Sequence, residues 1–255
     1  MDPWHTGIVS ADEGSIRLRG YDVTALMQRA TFTDTLFLLH RSRMPSEGER
    51  RLLDAILVGV ADHGAGAPSC ATARLAASGN RQSLSAAVAA GVLAIGDEHG
   101  GAGLSCMVLI EAGVTRARET SVPLPEVAQS MVAEARTQSK RLPGLGHRSH
   151  KVDPRTEILF GMARSSGLAG SGVAFMEALQ AALTASGKAL PINIDGALAA
   201  VLYDLGFPPS FGMLVFIAGR VAGLTAEVAE EHAREKPMRI RIPLEYDGEP
   251  PRNLP

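Results

Sequence analysis

The chain has 255 residues, 45% hydrophobic and 20% charged, with 25 Lys and Arg set against 27 Asp and Glu. That near balance offers no basic surface for nucleic acid or an anionic membrane, so any anionic ligand must be met by local clusters of Arg and His. The composition is that of an ordinary globular protein, and a chain of this size buries roughly three-quarters of its unfolded surface.

The two cysteines, Cys70 and Cys106, make no disulfide framework and read as small buried apolar residues. The start, Met1-Asp2-Pro3-Trp4-His5, has neither a basic nor an apolar signal region. No run reaches ~18 apolar residues without a charge or a turn signal. A cytoplasmic, reducing location with no membrane partner is the expectation.

Helical periodicity dominates the chain. Ile16–Leu18 alternates weakly as a strand, and Asp22–Ala30 reads as a short helix capped by Asp22. Thr33–Arg41 carries Leu36, Leu38 and Leu39 on one face. Ser46–Val60 is strongly patterned, with Leu52, Leu53, Ile56, Leu57 and Val60 on one side. Gln82–Ile95 is Ala-, Val- and Leu-rich, as a buried helix is. Further helices are predicted at Leu104–Arg118, Leu124–Lys140, Arg155–Arg164, Gly172–Ser186, Gly196–Leu205 and Ser210–Arg234. Arg239–Ile242 alternates as a short strand, and the Pro-rich end from Asp247 reads as an extended tail. The fold class is therefore mainly α, with small side chains that let helices approach closely.

Four inter-helix loops set His or Asp beside Gly: Ala61-Asp62-His63-Gly64, Gly96-Asp97-Glu98-His99-Gly100-Gly101-Ala102, Gly144-Leu145-Gly146-His147-Arg148, and Asn193-Ile194-Asp195-Gly196. Such turns at helix ends free backbone groups and admit a ligand closely. A zinc site is disfavoured: His147 and His150 form no His-Glu-x-x-His pair, and neither Cys has ligand spacing. Gly170-Ser171-Gly172 is not a hydrolase elbow, and Gly100-Gly101 follows no strand as a dinucleotide turn requires. What remains is an anion-binding acid–base site.

These residues carry a family resemblance. His99-Gly100-Gly101-Ala102 resembles the His-Gly-Gly-Ala turn of citrate synthases. Gly144-Leu145-Gly146-His147-Arg148, with Lys151 and Asp153-Pro154-Arg155, resembles their Gly-x-Gly-His-Arg…Asp-Pro-Arg segment. Ile192-Asn193-Ile194-Asp195 is similar to the Asn-Val-Asp of the catalytic aspartate. Arg19-Gly20-Tyr21, Ala61-Asp62-His63-Gly64, Arg220-Val221-Ala222-Gly223, and Arg241 with Tyr246 and Gly248 resemble four further family motifs. The seven occur in family order across residues 19–248. The short length and the Ala-Asp-His-Gly wording look most like free citryl-CoA lyases and the C-terminal citryl-CoA lyase domain of ATP-citrate lyase. Two departures stand out: the final Arg-Pro is Arg241-Ile242-Pro243, and Glu227 stands where many synthases have His.

The resemblance implies a helical large domain, shortened at the N-terminus, with a smaller helical domain inserted. The expected division is 1–103, 104–205 and 206–255. It also implies that His99 bonds the thioester oxygen, His147 serves the carbonyl or C3 hydroxyl, and Asp195 moves the methyl proton. His63, Arg155, Arg220 and Arg241 would hold carboxylates, and Arg148 and Lys151 would contact coenzyme A phosphates. Arg241 would come from a partner subunit, making a homodimer or larger homo-oligomer. The implied ligand is a coenzyme A thioester, with no metal and no tightly bound cofactor. The implied reaction is cleavage of citryl-CoA to acetyl-CoA and oxaloacetate. Alternatives are a synthase-like condensation, a lyase for a related 3-hydroxyacyl-CoA, and a non-catalytic coenzyme A-binding relative.

Overall fold

The computed structural model describes residues 3–146 and 153–254; His147, Arg148 and Lys151 lie outside the described residues. The chain opens with a small antiparallel sheet, β1 (Val9–Asp12), β2 (Ser15–Leu18) and β3 (Tyr21–Asp22), paired Val9 to Leu18 and Leu18 to Tyr21. Arg19 and Gly20 turn β2 into β3 with positive φ. The Arg19 guanidinium reaches the end of the next helical pair, donating to the Leu39 carbonyl at 2.7 and 3.0 Å.

Eleven helices follow among the described residues: α1 (Val23–Arg29), α2 (Phe32–Arg41), α3 (Glu47–Val60), α4 (Pro68–Gly79), α5 (Leu84–Leu93), α6 (Ala102–Thr120), α7 (Leu124–Thr137), α8 (Pro154–Ser165), α9 (Ser171–Ala185), α10 (Ile194–Asp204) and α11 (Phe211–Arg234). Their starts are written locally. Thr31 with Asp34, and Ser46 with Glu49, form capping boxes at α2 and α3. Pro68 and Pro154 occupy the first turns of α4 and α8, where a missing N–H costs nothing. Asp204, at the end of α10, accepts from Gly170, Gly172 and Val173 N–H and so caps α9 across the core.

The structure adds one helix and removes one strand relative to the expectations from sequence. The Pro68–Gly79 helix was not foreseen, because its buried face is Cys70, Ala73 and Ala77 rather than large side chains. Arg239–Ile242 is not a strand. Arg239 instead bonds Glu231 at 2.9 and 2.5 Å, and Met238 N–H donates to Ser78 O, tying this run to α4 and α11.

The central helix is α10, buried from Gly196 to Leu202 and packed on α6, α8 and α9. A smaller cluster joins Ala67, Cys70, Ala73, Ala77, Ala87, Leu224 and Val228 of α4, α5 and α11. By length and hydropathy α11 is able to cross a membrane, but half of it is buried here and it carries the buried Arg220 and Glu231. Gly103 and Gly212 let α6 and α11 cross closely: a Cβ on Gly212 would lie 2.7 Å from the Gly103 carbonyl carbon. That crossing fixes the starts of two helices whose neighbours line the cleft described next.

Candidate active site

The loop before α6 folds back on itself. Gly96 and His99 exchange N–H and C=O bonds of 2.9 Å, and Gly101 N–H returns to the Gly96 carbonyl. Gly100 sits at φ +83°, and a Cβ there would meet the Phe216 ring at 2.5 Å, so only glycine fits. This turn sets the His99 ring edge-on to Phe216 and against the start of α4.

Ser69 settles the His99 tautomer. Its backbone N–H, which can only donate, points at Nε2 at 3.3 Å, and its hydroxyl lies 2.9 Å from the same nitrogen. The hydroxyl accepts from Arg220 at 3.1 Å, so its own hydrogen goes to Nε2. Nε2 is therefore the acceptor and Nδ1 carries the proton. Burial, then Arg220 and His63, depress the His99 pKa and keep the ring neutral. A neutral imidazole on a cavity wall, its Nδ1–H taken by no hydrogen bond among the described residues, is a donor available to a developing oxyanion.

Arg220 lies beneath, 2% exposed. It donates to the Val60 carbonyl at 2.9 Å and stacks on Phe216, but no carboxylate pairs with it among the described residues. Arg155 is held differently. Asp153, the N-cap of α8, accepts from its guanidinium at 2.9 and 3.0 Å and from Ile194 N–H at 3.0 Å. Burial alone would raise the Asp153 pKa; the Arg155 guanidinium and these backbone bonds bring it below the usual range. Arg155 also donates to Gly59 O, so one ion pair joins α3, α8 and α10.

Asp195 occupies the first turn of α10. Asn193 caps that helix through Gly196 N–H and donates to the Gly146 carbonyl at 2.8 Å. Gly144 O accepts from Asn193 N–H, and Gly144 packs within Cβ distance of Gly196 and Cys106. The Gly144–Gly146 run is thus stitched to the segment bearing Asp195. Burial raises the Asp195 pKa; Asp153 adds to this, while Arg155 and Arg220 oppose it. Cys106 beneath is pushed up strongly by its own burial.

His63, His99, Arg155, Asp195 and Arg220 line one cavity of about 170 Å3, with Glu98 also on its wall. Arg241 does not join them; it lies in the exposed tail. A larger, mostly apolar groove of about 450 Å3 between α3 and α8 shares Gly59, Arg155 and Ile194 with the cleft. The acid–base groups gather in the smaller cavity, so the chemistry is assigned there. Next to it, the Asp62, Cys70 and Glu227 ligand atoms lie within 4.8 Å of one another. These groups already have partners: Cys70 donates to Asp62 at 3.4 Å, and Glu227 accepts from Arg74 at 2.5 Å.

Ser69, Asp153 and Phe216 were not foreseen in these roles. Ser69 and Phe216 carry no sequence signal, because their contacts with His99 are 30 or more residues away. Asp153 belongs to the Asp-Pro-Arg motif, which hinted at its place.

Residues 41–241 match the citrate synthase C-terminal domain family. The chain belongs to the citrate synthase family. Among curated relatives, a citrate/2-methylcitrate synthase of Bacillus subtilis is 26% identical over 85% of this chain and 56% of its own length. A citrate synthase of Haloferax volcanii is 29% identical over 80% and 52%. The chain thus spans about half the length of these family members. Among solved structures, a citryl-CoA lyase from Hydrogenobacter thermophilus superimposes with a TM-score of 0.91, 38% identity, and coverage of 99% of this chain and 97% of that one. The ATP citrate lyase of Methanothrix soehngenii, solved with citrate and coenzyme A, matches at 0.79 and 19% identity over 97% of this chain and 42% of that one, a likeness of fold.

Proposed function

We propose that this citrate synthase family member is a citryl-CoA lyase. The observation that carries this reading is the cleft itself: a buried guanidinium with no carboxylate partner among the described residues, beside a neutral imidazole donor and a carboxyl group whose pKa is raised. The likeness to a citryl-CoA lyase over nearly both full lengths supports it.

Arg220 and Arg155 hold the two carboxylates of the oxaloacetate half, and His63 stands beside them. A base takes the C3 hydroxyl proton; we assign this to His147, which directly follows Gly146. The C2–C3 bond breaks as C3 becomes a ketone, and its electrons pass into a thioester enolate. His99 Nδ1–H stabilises the enolate oxygen, a contribution of about 3 kcal/mol for a preplaced donor. Asp195, protonated in its buried position, delivers its proton to the enolate carbon and completes the acetyl group. Lys151 and Arg148 are proposed contacts for the coenzyme A phosphates. In the proposed division into 1–103, 104–205 and 206–255, His63 and His99 come from the first part, Arg155 and Asp195 from the second and Arg220 from the third.

A homodimer belongs to the same proposal. Every residue of α5 except Ser85 is apolar or glycine, yet only Ala87 and Gly91 are buried, and Leu93 is 84% exposed. In the tail, Ile242, Leu244 and Tyr246 stand exposed. Such surfaces need a cover, and a second copy supplies one that also brings Arg241 to the partner's cleft. Light scattering that gave a monomer at micromolar concentration would remove this part.

The test of function is pure protein with citryl-CoA, with oxaloacetate read through malate dehydrogenase and NADH. Oxaloacetate and acetyl-CoA in equal amounts are expected. Citrate in place of oxaloacetate would assign a thioester-hydrolysing synthase instead.

A further inference from the structure

We infer that Glu98 makes the cleft select a thioester over the corresponding free carboxylate, an inference that rests on the acyl-thioester reading above. Glu98, His99 and Gly100 are respectively exposed, half-buried and buried, so this turn descends the cleft wall. Glu98 lines the same cavity as His99 and Arg220. Arg220, nearly inaccessible, marks the floor, and the exposed Glu98 marks the mouth. With Asp195 protonated as the proposed mechanism has it, the charges lining the cleft are Arg220 in its depth, Arg155 on its wall and Glu98 at its opening, beside the exposed His63.

Glu98 forms no hydrogen bond or ion pair among the described residues, unlike Asp153, which is taken up by Arg155. Its backbone cannot swing aside, because the Gly96–His99 bonds of 2.9 Å on both strands of the turn hold it. The sequence marks this turn too: the acidic pair Asp97-Glu98 directly precedes His99.

The consequence is a charge filter. An acid with two carboxylates enters head first and places both against the cationic floor. Its third arm then passes His99 and ends near Glu98. A thioester arm is neutral there and offers pantetheine amide N–H groups to a carboxylate acceptor. A free carboxylate arm meets like charge instead. Citrate is therefore held off, while oxaloacetate, which has no third arm, is not. For a lyase this prevents the abundant tricarboxylic acid from occupying the site of its thioester.

The test is calorimetric titration of the intact protein with citrate and with oxaloacetate, for wild type, Glu98→Gln and Glu98→Lys. Removing one like charge at the partly solvated mouth is expected to tighten citrate about tenfold, and Glu98→Lys more, with the gain shrinking as salt rises. Oxaloacetate should tighten less than twofold. An unchanged citrate affinity in both variants, or equal tightening of both acids, overturns the inference. Binding needs no turnover, so the two readings fail separately. A protein that leaves citryl-CoA uncleaved but shows citrate-selective tightening loses the lyase reading and keeps the filter. Wild-type protein that binds neither acid loses both.

Discussion

Two buried arginines stand on facing helices and live in opposite electrical surroundings. Arg74 on α4 is 8% exposed and meets Glu227 at 2.5 Å, Glu231 at 3.0 Å and Glu230 at 3.4 Å. Glu231, fully buried, also takes Arg239, so the cluster closes on itself. Arg220 on α11 is more deeply buried, yet its bonds go to a carbonyl, a hydroxyl and a thiol. Taking a charge out of water without an opposite partner is costly. The first arrangement satisfies that cost within the fold. The second leaves it standing for an anionic ligand to relieve. Here the charge saturated on every side ties α4 to α11, the one without a carboxylate partner among the described residues stands in the cleft, and Arg155 is intermediate, with Asp153 on one side and the cavity on the other.

The sharpest way to break that comparison is at the unsaturated carboxyl group. Asp195→Asn is expected to lower turnover of citryl-CoA by at least a thousandfold, on the order of losing an essential proton donor. The fold should survive and gain from the change. Burial raises the Asp195 pKa, so ionised Asp195 weighs against the folded state, and its contribution to stability is lost as pH rises through the folded value. Melting curves should show Asp195→Asn at least as stable as wild type, with a margin that widens as pH climbs. Turnover of the wild type should follow the same sign. Cleavage needs protonated Asp195 and declines on the alkaline side, while His99, whose pKa is depressed, must stay neutral and sets a decline on the acid side. Rates that rose steadily with pH would remove Asp195 as the acid.

A matched pair of substitutions comes next. Arg220→Met should cut kcat/KM by a hundredfold or more with little loss of melting temperature, because the guanidinium it removes is a buried charge with no carboxylate partner among the described residues. Arg74→Met should do the reverse. It strips partners from three glutamates, one of them fully buried, and is expected to cost about 3 kcal/mol of stability with kcat/KM within a few-fold of wild type. Chemical denaturation and the coupled assay on both variants decide it. Equal stability losses would erase the distinction between the two sites.

The same distinction explains what the sequence could and could not disclose. Ser46 and Glu49 announce α3 because a capping box is local chemistry, and the apolar spacing of Leu52 to Val60 marks its buried face. By contrast, α4 hid because Cys70, Ala73 and Ala77 pack a close helix pair without any large periodic side chain. The alternation of Arg239–Ile242 suggested a strand, but Arg239 answers a glutamate on α11. In the cleft, His63, His99, Arg155, Asp195 and Arg220 were visible through family-like motifs, each a contiguous string. What makes them work was not visible. The Ser69 bond to His99 and the edge-on contact of Phe216 with His99 exist only after α4, the turn before α6 and α11 meet.

Ser69 therefore provides a smaller and more specific test. Ser69→Ala deletes the hydroxyl shared by Arg220 and His99 but keeps the backbone N–H on Nε2. A loss of 10- to 100-fold in kcat is expected, of the order of one misplaced oxyanion donor, with about 1 kcal/mol of stability. Because Ser69 acts through His99, the acid limb of the pH–rate profile should move as well. Ser69→Thr, which keeps the hydroxyl, should restore part of both. A lowered kcat with an unmoved pH profile would make Ser69 a packing residue only.

The smallest effect concerns two carboxylates that both stand in the first turn of a helix. Asp195 has no hydrogen-bonding partner among the described residues. Glu49 has Arg43 on both oxygens at 2.6 and 2.9 Å and accepts the Ser46 N–H at 2.8 Å. The Arg43 bond is the main reason the Glu49 pKa is lowered to about 2, against the opposing pull of burial. A lowered folded value means that Glu49 stabilises the protein above pH about 4.5 and loses that contribution as pH falls toward about 2. Arg43 is half exposed, so solvent screens the pair, and Glu49→Gln should cost about 1–2 kcal/mol at neutral pH rather than the full shift. Denaturation curves should converge in acid for both pairs and part with rising pH in opposite directions, wild type becoming the more stable against Glu49→Gln and the less stable against Asp195→Asn. One helix start uses its carboxylate to hold the fold, and the other holds its carboxyl group out of balance so that it can give up a proton.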